Sequence, residues 1–142
     1  VSLYAFGFLQ RHVSDSGVLR DATQIGIEVC VPSARRLNTK GRVNKDLVLW
    51  QEPLMTCFDQ NWKCVKHPLS ILEWKCLTPR NRTFSSTVAD SGGDIAWLTQ
   101  YAGYCPSEFV GYAISLDLLH REPHLNVTRI EKNHIQAQWL VQ

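Results

Sequence analysis

The chain has 142 residues, of which 44% are hydrophobic and 20% charged, and its formal net charge is +2. This composition excludes an intrinsically disordered chain, and so small a net charge argues against a nucleic-acid binder. No run of about 18 apolar residues is present, so we expect no membrane span. We expect one globular β domain over residues 1–142, which is either a protein by itself or an ectodomain or receptor-binding domain excised from a longer protein.

The first part of the chain is predicted to form β-strands. Residues 1–10 are mostly apolar, and we expect them to form a first strand. In residues 22–32, Ile25, Ile27 and Val29 alternate with other residue types, which is typical of a strand buried on one face. A polar, glycine-containing segment at 38–41 then predicts a turn.

The second half predicts further strands and one short helix. Residues 70–77 alternate as a strand, and Asp94 can cap a helix around 95–102 that Gly103 ends. The C-terminal third contains three alternating segments with short turns between them, which is typical of an antiparallel meander. About eight strands and one helix predict an all-β fold, mainly an antiparallel β-sandwich or barrel.

Three of the five cysteines lie close to a histidine in residues 57–76, which raises the question of a metal site. A zinc site there would use Cys57, Cys64, His67 and Cys76. Structural zinc sites usually contain two tight ligand pairs, and only the pair of Cys64 and His67 is tight here. We therefore expect neither a metal nor a cofactor.

A disulfide framework accounts for the cysteines better. A hairpin in this segment places Cys57 opposite Cys64, close enough for a cross-strand bridge. A second bridge would join Cys76 to Cys105. Cys30, on the polar face of its strand, is then left unpaired or forms a bond to another chain.

Two Asn-x-Ser/Thr sequons, at Asn81 and Asn126, are potential glycosylation sites. Both lie beside predicted turns, where a glycan could be accommodated. Together with the disulfide interpretation they predict a secreted or extracellular glycoprotein.

The segment "ADSGGD", residues 89–94, resembles the Asp-Ser-Gly-Gly around the nucleophile of trypsin-like serine proteases. That resemblance would make Ser91 the nucleophile. The flanking residues depart from the protease pattern, with Ala89 in place of glycine and Asp94 in place of proline, and no Ala-Ala-His-Cys stretch supplies a base. We therefore assign no catalytic residue and favour a protein that is not an enzyme.

Positive charge is concentrated in residues 33–46, between two apolar strands. The cations are Arg35, Arg36, Lys40, Arg42 and Lys45, against the single acid Asp46. This segment is either a solvated loop or a patch for an anionic partner, such as a sulfated glycan, a phospholipid headgroup or an acidic protein. It lacks interleaved aromatic residues, so we do not expect single-stranded nucleic acid to bind.

His120 and His124 flank the short break "REP" and form a second candidate binding feature. Histidines four residues apart can bind a metal together when both lie on one face of a helix, but Pro123 makes a helix here unfavourable. In an exposed loop they would gain charge in mildly acidic conditions and modulate a contact.

These features predict an extracellular recognition domain, similar in kind to a cell-surface or viral attachment glycoprotein, that binds a protein or an anionic glycan through surface loops. One alternative is a secreted β-barrel carrier of a small apolar ligand, with the five tryptophans lining its interior. The other is a small secreted hydrolase that uses Ser91.

Overall fold

A computed structural model describes residues 2–14, 17–33, 41–77, 93–117 and 124–141. The helices are α1 (Ser2–Gln10) and α2 (Asp94–Tyr104), with a 3-10 turn at Ala22–Gln24. The strands are β1 (Ile25–Pro32), β2 (Arg42–Leu49), β3 (Ser70–Leu77), β4 (Val110–Asp117), β5 (His124–Glu131) and β6 (His134–Val141). The chain is therefore mainly β with a short helix where one was predicted, and its sheet does not close into a barrel.

Two compact units divide the chain, Val1–Ile71 and Leu72–Gln142. In the first, β1 and β2 pair antiparallel from Ile25 opposite Leu49 to Pro32 opposite Arg42. The apolar core of this unit consists of Ile25, Val31, Leu47, Val48, Trp50, Cys57 and Ile71. Within the described ranges, no helix is long and apolar enough to cross a membrane.

Helix α1 replaces the first strand that the sequence predicted. Residues 2–10 contain no valine, isoleucine or threonine, whose branched side chains favour strands, whereas leucine, alanine and glutamine favour helices. The helix packs against β1 and β2 without burying any residue fully, and it leaves Leu3, Tyr4 and Phe8 exposed.

The fully buried side chain of Gln24 joins the 3-10 turn to the end of β2. Its Oε1 accepts hydrogen bonds from the backbone N–H groups of Arg20 and Asp21, at 2.6 and 3.0 Å. Its Nε2 donates to the carbonyls of Val18, Trp50 and Gln51, each at 3.0 Å. Because neither end of the amide is left without partners, this polar group can lie inside the core.

Asp21 caps the same turn. The Thr23 hydroxyl and backbone N–H both donate to its Oδ1, at 2.6 and 2.8 Å, and these hydrogen bonds hold the pKa of the Asp21 carboxyl below its usual range. Asp21 and Gln24 form a reciprocal capping box, which fixes the direction in which the chain enters β1.

In the second unit, β4, β5 and β6 form the predicted antiparallel meander. β5 and β6 are joined by the two-residue turn Lys132–Asn133, closed by Glu131 opposite His134. Asn133 has a φ of 63°, a left-handed conformation that asparagine tolerates better than most residues.

Helix α2 covers one face of β4 and β5 with Leu98, Tyr101 and Ala102 buried. Gly111 allows the close approach, since a Cβ there would lie 3.1 Å from Leu98 Cδ2. The buried positions of the two strands are Gly111, Ala113, Ser115, Asn126, Thr128 and Ile130. The apolar stripe of β4, which includes Tyr112 and Ile114, is only half-buried, so in β4 the buried residues on the side of the helix are small ones.

Candidate binding site

A tight hairpin forms between β2 and β3, at residues 57–65. The Asp59 carbonyl accepts a hydrogen bond from Trp62 N–H at 2.9 Å, and Asp59 N–H donates to the Lys63 carbonyl at 3.0 Å. Trp62 has a φ of 62°, so the loop is a turn closed by one left-handed residue. Asp59 Oδ1 accepts from the N–H groups of Asn61 and Lys63, both at 2.9 Å, which fixes the loop from inside.

The register of this hairpin differs from the predicted one. Phe58, not Cys57, lies opposite Cys64, while the Cys57 carbonyl accepts from Val65 N–H at 2.9 Å. A two-residue tip at Gln60 and Asn61 would place Cys57 opposite Cys64, whereas the left-handed Trp62 adds one residue to the loop. Because side chains alternate along a strand, this shift of one residue directs Cys57 and Cys64 to opposite faces.

The five cysteines all lie in the described part of the chain, and no disulfide bond joins any of them there. Neither the Cys57–Cys64 bridge nor the Cys76–Cys105 bridge is therefore formed in this structure. Cys30 is half-buried in β1, and Cys105 is buried at the end of α2. No three histidine, cysteine, aspartate or glutamate side chains converge as a metal-binding group among the residues described.

Cys64 also lacks the surroundings of a reactive thiol. Burial raises the pKa of its thiol, and this outweighs a backbone hydrogen bond at Lys66 that lowers it. A raised pKa lowers the thiolate fraction at neutral pH, and thiolate is the form that binds metals and attacks disulfides. Burial likewise lowers the pKa of His67, which favours the neutral imidazole.

The hairpin tip meets Arg42, the first residue of β2. The Arg42 guanidinium carbon lies 3.8 Å from the centroid of the Trp62 ring and 5.5 Å from that of Phe58. The two rings lie 6.0 Å apart and are tilted relative to each other. These three residues form what we call the Arg42–Trp62 cluster, a cation held against two aromatic rings.

The cluster is open to solvent. Trp62 is 59% exposed, and Arg42 is exposed as well. Among the residues that the structure describes, the Arg42 guanidinium makes no hydrogen bond and no ion pair, and its contacts are the two aromatic rings. Lys63 in the hairpin and Lys66 directly after it are exposed, whereas the one acid of the loop, Asp59, is engaged by backbone N–H groups. The local charge is therefore positive.

The other predicted binding residues have different outcomes. Lys45 is only 6% exposed, because its position in β2 points it into the first unit. It therefore does not contribute to a basic patch at the surface. The remaining basic candidates, Arg35, Arg36 and Lys40, lie outside the described residues, as do Asn81, Ser91 and His120. His124 begins β5, and the structure does not describe its side chain.

Asn126, the second predicted glycosylation site, is 2% exposed. It lies in β5 between Ser115 of β4 and position 139 of β6, and its Oδ1 accepts from the Thr128 hydroxyl at 3.2 Å. The sequon was placed beside a turn, but the strand begins two residues before it. As folded, this asparagine is not accessible to a glycan.

Trp62 and Phe58 are the residues of the cluster that sequence reasoning missed. The basic segment was judged to lack aromatic partners because none lies within residues 33–46. The aromatic residues come from a hairpin about twenty residues further along the chain, and only pairing in three dimensions brings them to Arg42. A tryptophan beside asparagine at a predicted hairpin tip was the available signal.

Comparisons with protein-family models, with curated proteins and with solved structures find no match. The functional proposal therefore rests on the geometry of the site.

Proposed function

We propose that this chain is an extracellular recognition domain that binds a protein or an anionic glycan through surface loops of its first unit. The observation that supports this most directly is the Arg42–Trp62 cluster. Large aromatic side chains and arginine are the residues that most often dominate binding energies at interfaces. Here both are exposed, and a hairpin with internal hydrogen bonds holds the tryptophan in place.

Backbone conformation adds a second argument. Trp62 has a left-handed φ, which costs roughly 1–2 kcal/mol for a residue with a Cβ and which glycine or asparagine would adopt more cheaply. Strain alone does not mark a binding residue, because the exposed Leu54 also has a left-handed φ. At Trp62 the strain coincides with the contact to Arg42, and that combination favours an interaction. Secretion, glycosylation and a β-sandwich arrangement belong to the same proposal and are supported by the Asn81 sequon and the mainly β fold.

The carrier alternative has less support. Its tryptophans would line one interior, but Trp50 is 2% exposed while Trp62 is 59% exposed, and the sheet is open. The hydrolase alternative depends on Ser91, which lies outside the described residues, so no observed site geometry supports it.

The test is binding of the purified protein to intact cells and to arrays of glycans and proteins, compared with four variants. Arg42→Ala and Trp62→Asn should each reduce binding about tenfold or more. Arg20→Ala and Leu54→Asn are matched controls, because they alter an exposed arginine and an exposed apolar residue with a left-handed φ elsewhere. Equal loss in the controls, or full binding by both cluster variants, would contradict the proposal.

A further inference from the structure

We infer that the Arg42–Trp62 cluster is a subsite for a sulfated saccharide, with the guanidinium binding the sulfate group and the indole supporting the sugar ring. This inference rests on the proposed function and names the partner class for the same site.

The Arg42 guanidinium would supply the anion-binding group of the subsite. Its central carbon lies 3.8 Å from the indole centroid, and this contact restricts the side chain before a ligand binds, which lowers the entropy cost of binding. Its N–H donors are not engaged by any other described residue. A planar fork of N–H donors matches two oxygens of a sulfate or carboxylate, and stacking on an aromatic ring does not consume those donors.

The Trp62 indole would supply the apolar surface for the sugar ring. Arg42 covers one of its faces, yet Trp62 retains 59% exposure. Most of that exposed area must therefore belong to the opposite face and the ring edge. An aromatic face with an electron-rich centre is an apolar platform for the C–H groups of a sugar ring.

The local charge near the cluster is positive, which suits an anionic ligand. Lys63 follows Trp62 directly, and Lys66 lies three residues further on, both exposed. A sulfated oligosaccharide carries repeated anions along its chain, so exposed lysines close to Trp62 in the sequence suit it. An acidic peptide would use the guanidinium in the same way, but its carboxylates offer no apolar ring to the indole. The combination of fork, platform and flanking lysines favours the saccharide.

The experiment is titration calorimetry of the intact protein with a sulfated glycosaminoglycan hexasaccharide, with the same hexasaccharide after desulfation, and with a glutamate-rich peptide. We expect binding of the sulfated form and a loss of about tenfold or more on desulfation. Arg42→Lys keeps the charge but removes the planar fork, and it should weaken binding about tenfold, whereas Arg20→Lys should leave it within about twofold.

Trp62→Asn tests the platform without endangering the fold, because asparagine suits the left-handed φ of position 62. It should weaken saccharide binding about tenfold while leaving the urea unfolding midpoint close to that of the wild type. Leu54→Asn is its control and should leave binding unchanged.

The outcomes separate the two proposals. Equal binding of the desulfated saccharide, or full binding by Arg42→Lys, would overturn the inference. Binding of the acidic peptide or of cells that depends on Arg42 and Trp62, without binding of the sulfated saccharide, would overturn the inference and leave the proposed function standing. No cluster-dependent binding of any of these partners would overturn both.

Discussion

Gln24 illustrates how a single polar side chain can determine the course of a loop. Its amide has five backbone partners in the first unit, two N–H groups at Oε1 and three carbonyls that share the two N–H groups of Nε2. We predict that Gln24→Leu, which keeps the approximate volume, lowers the free energy of unfolding by about 2–4 kcal/mol, because it leaves buried N–H and carbonyl groups without partners. Urea denaturation measures this.

The matched control for Gln24→Leu is Gln100→Leu, the same substitution at an exposed position of α2. It should change the free energy of unfolding by less than about 0.5 kcal/mol. If the two variants were equally stable, the amide of Gln24 would not have the structural role assigned to it.

Leu54 is strained for no structural benefit visible in the first unit. Its φ is 54° and its side chain is 83% exposed, in the turn that follows Pro53. We predict that Leu54→Gly raises the free energy of unfolding by up to about 1 kcal/mol, because glycine adopts this backbone conformation without a Cβ clash. Val65→Gly, at an exposed residue without a positive φ, should be neutral or destabilising in the same urea titration. Stabilisation by both substitutions would contradict the strain argument.

At the scale of elements, α2 was located from its predicted end residues, although its N-cap is Gly93 rather than Asp94 and it extends past Gly103 to Tyr104. Alternation of apolar and other residues was sufficient to locate β1 and the meander of β4 to β6. It could not decide the structure of residues 2–10, where an apolar run fits a strand or a helix equally well and the absence of β-branched residues is the better guide. It also could not show which face of β4 lies beneath α2. That choice depends on Gly111, whose missing Cβ lets Leu98 approach, and such a contact has no periodic signature.

The candidate site could be predicted only in part for a related reason. Arg42 was identified from local charge density, and the hairpin from the spacing of Cys57 and Cys64. The register of the hairpin depends on one left-handed residue, Trp62, and a sequence of eight residues does not reveal whether its loop contains two residues or three.

The observed register makes a direct prediction about cross-linking. Phe58 and Cys64 face each other as a pair that does not exchange backbone hydrogen bonds, since the hydrogen-bonded positions on either side are Asp59 with Lys63 and Cys57 with Val65. Such a pair has Cα atoms about 4.5 Å apart, within disulfide range. Phe58→Cys should therefore form a bridge to Cys64 on mild oxidation and raise the free energy of unfolding by about 2 kcal/mol.

Peptide mapping by mass spectrometry, with and without reductant, identifies that bridge. The wild-type protein treated in the same way is the control, and it should yield no peptide that links Cys57 to Cys64. A Cys57–Cys64 linkage in the folded wild type would show that the hairpin adopts the two-residue tip instead.

For the whole molecule, a net charge of +2 is too small to attract an anionic partner over long distances. Recognition must then depend on a few exposed residues, and the cations Arg42, Lys63 and Lys66 are exposed whereas Lys45 is buried. Binding through so few charges should weaken with added salt, but less steeply than for a protein that relies on an extended basic face.

The stability of the whole molecule should depend on pH through His67. Burial lowers the pKa of this half-buried imidazole, so below about pH 6.5 the unfolded chain binds a proton that the folded chain resists. The unfolded state then holds more protons, and the free energy of unfolding falls as the pH falls from that value toward the lower folded-state pKa. We expect a lower urea midpoint at about pH 5 than at about pH 7.5.

The control for this prediction is His67→Gln, which has no imidazole to titrate. Its urea midpoint should change less between the same two pH values, whatever its absolute stability. A variant with the full wild-type pH dependence would assign the effect to other groups, and would leave the burial of His67 without a consequence for folding.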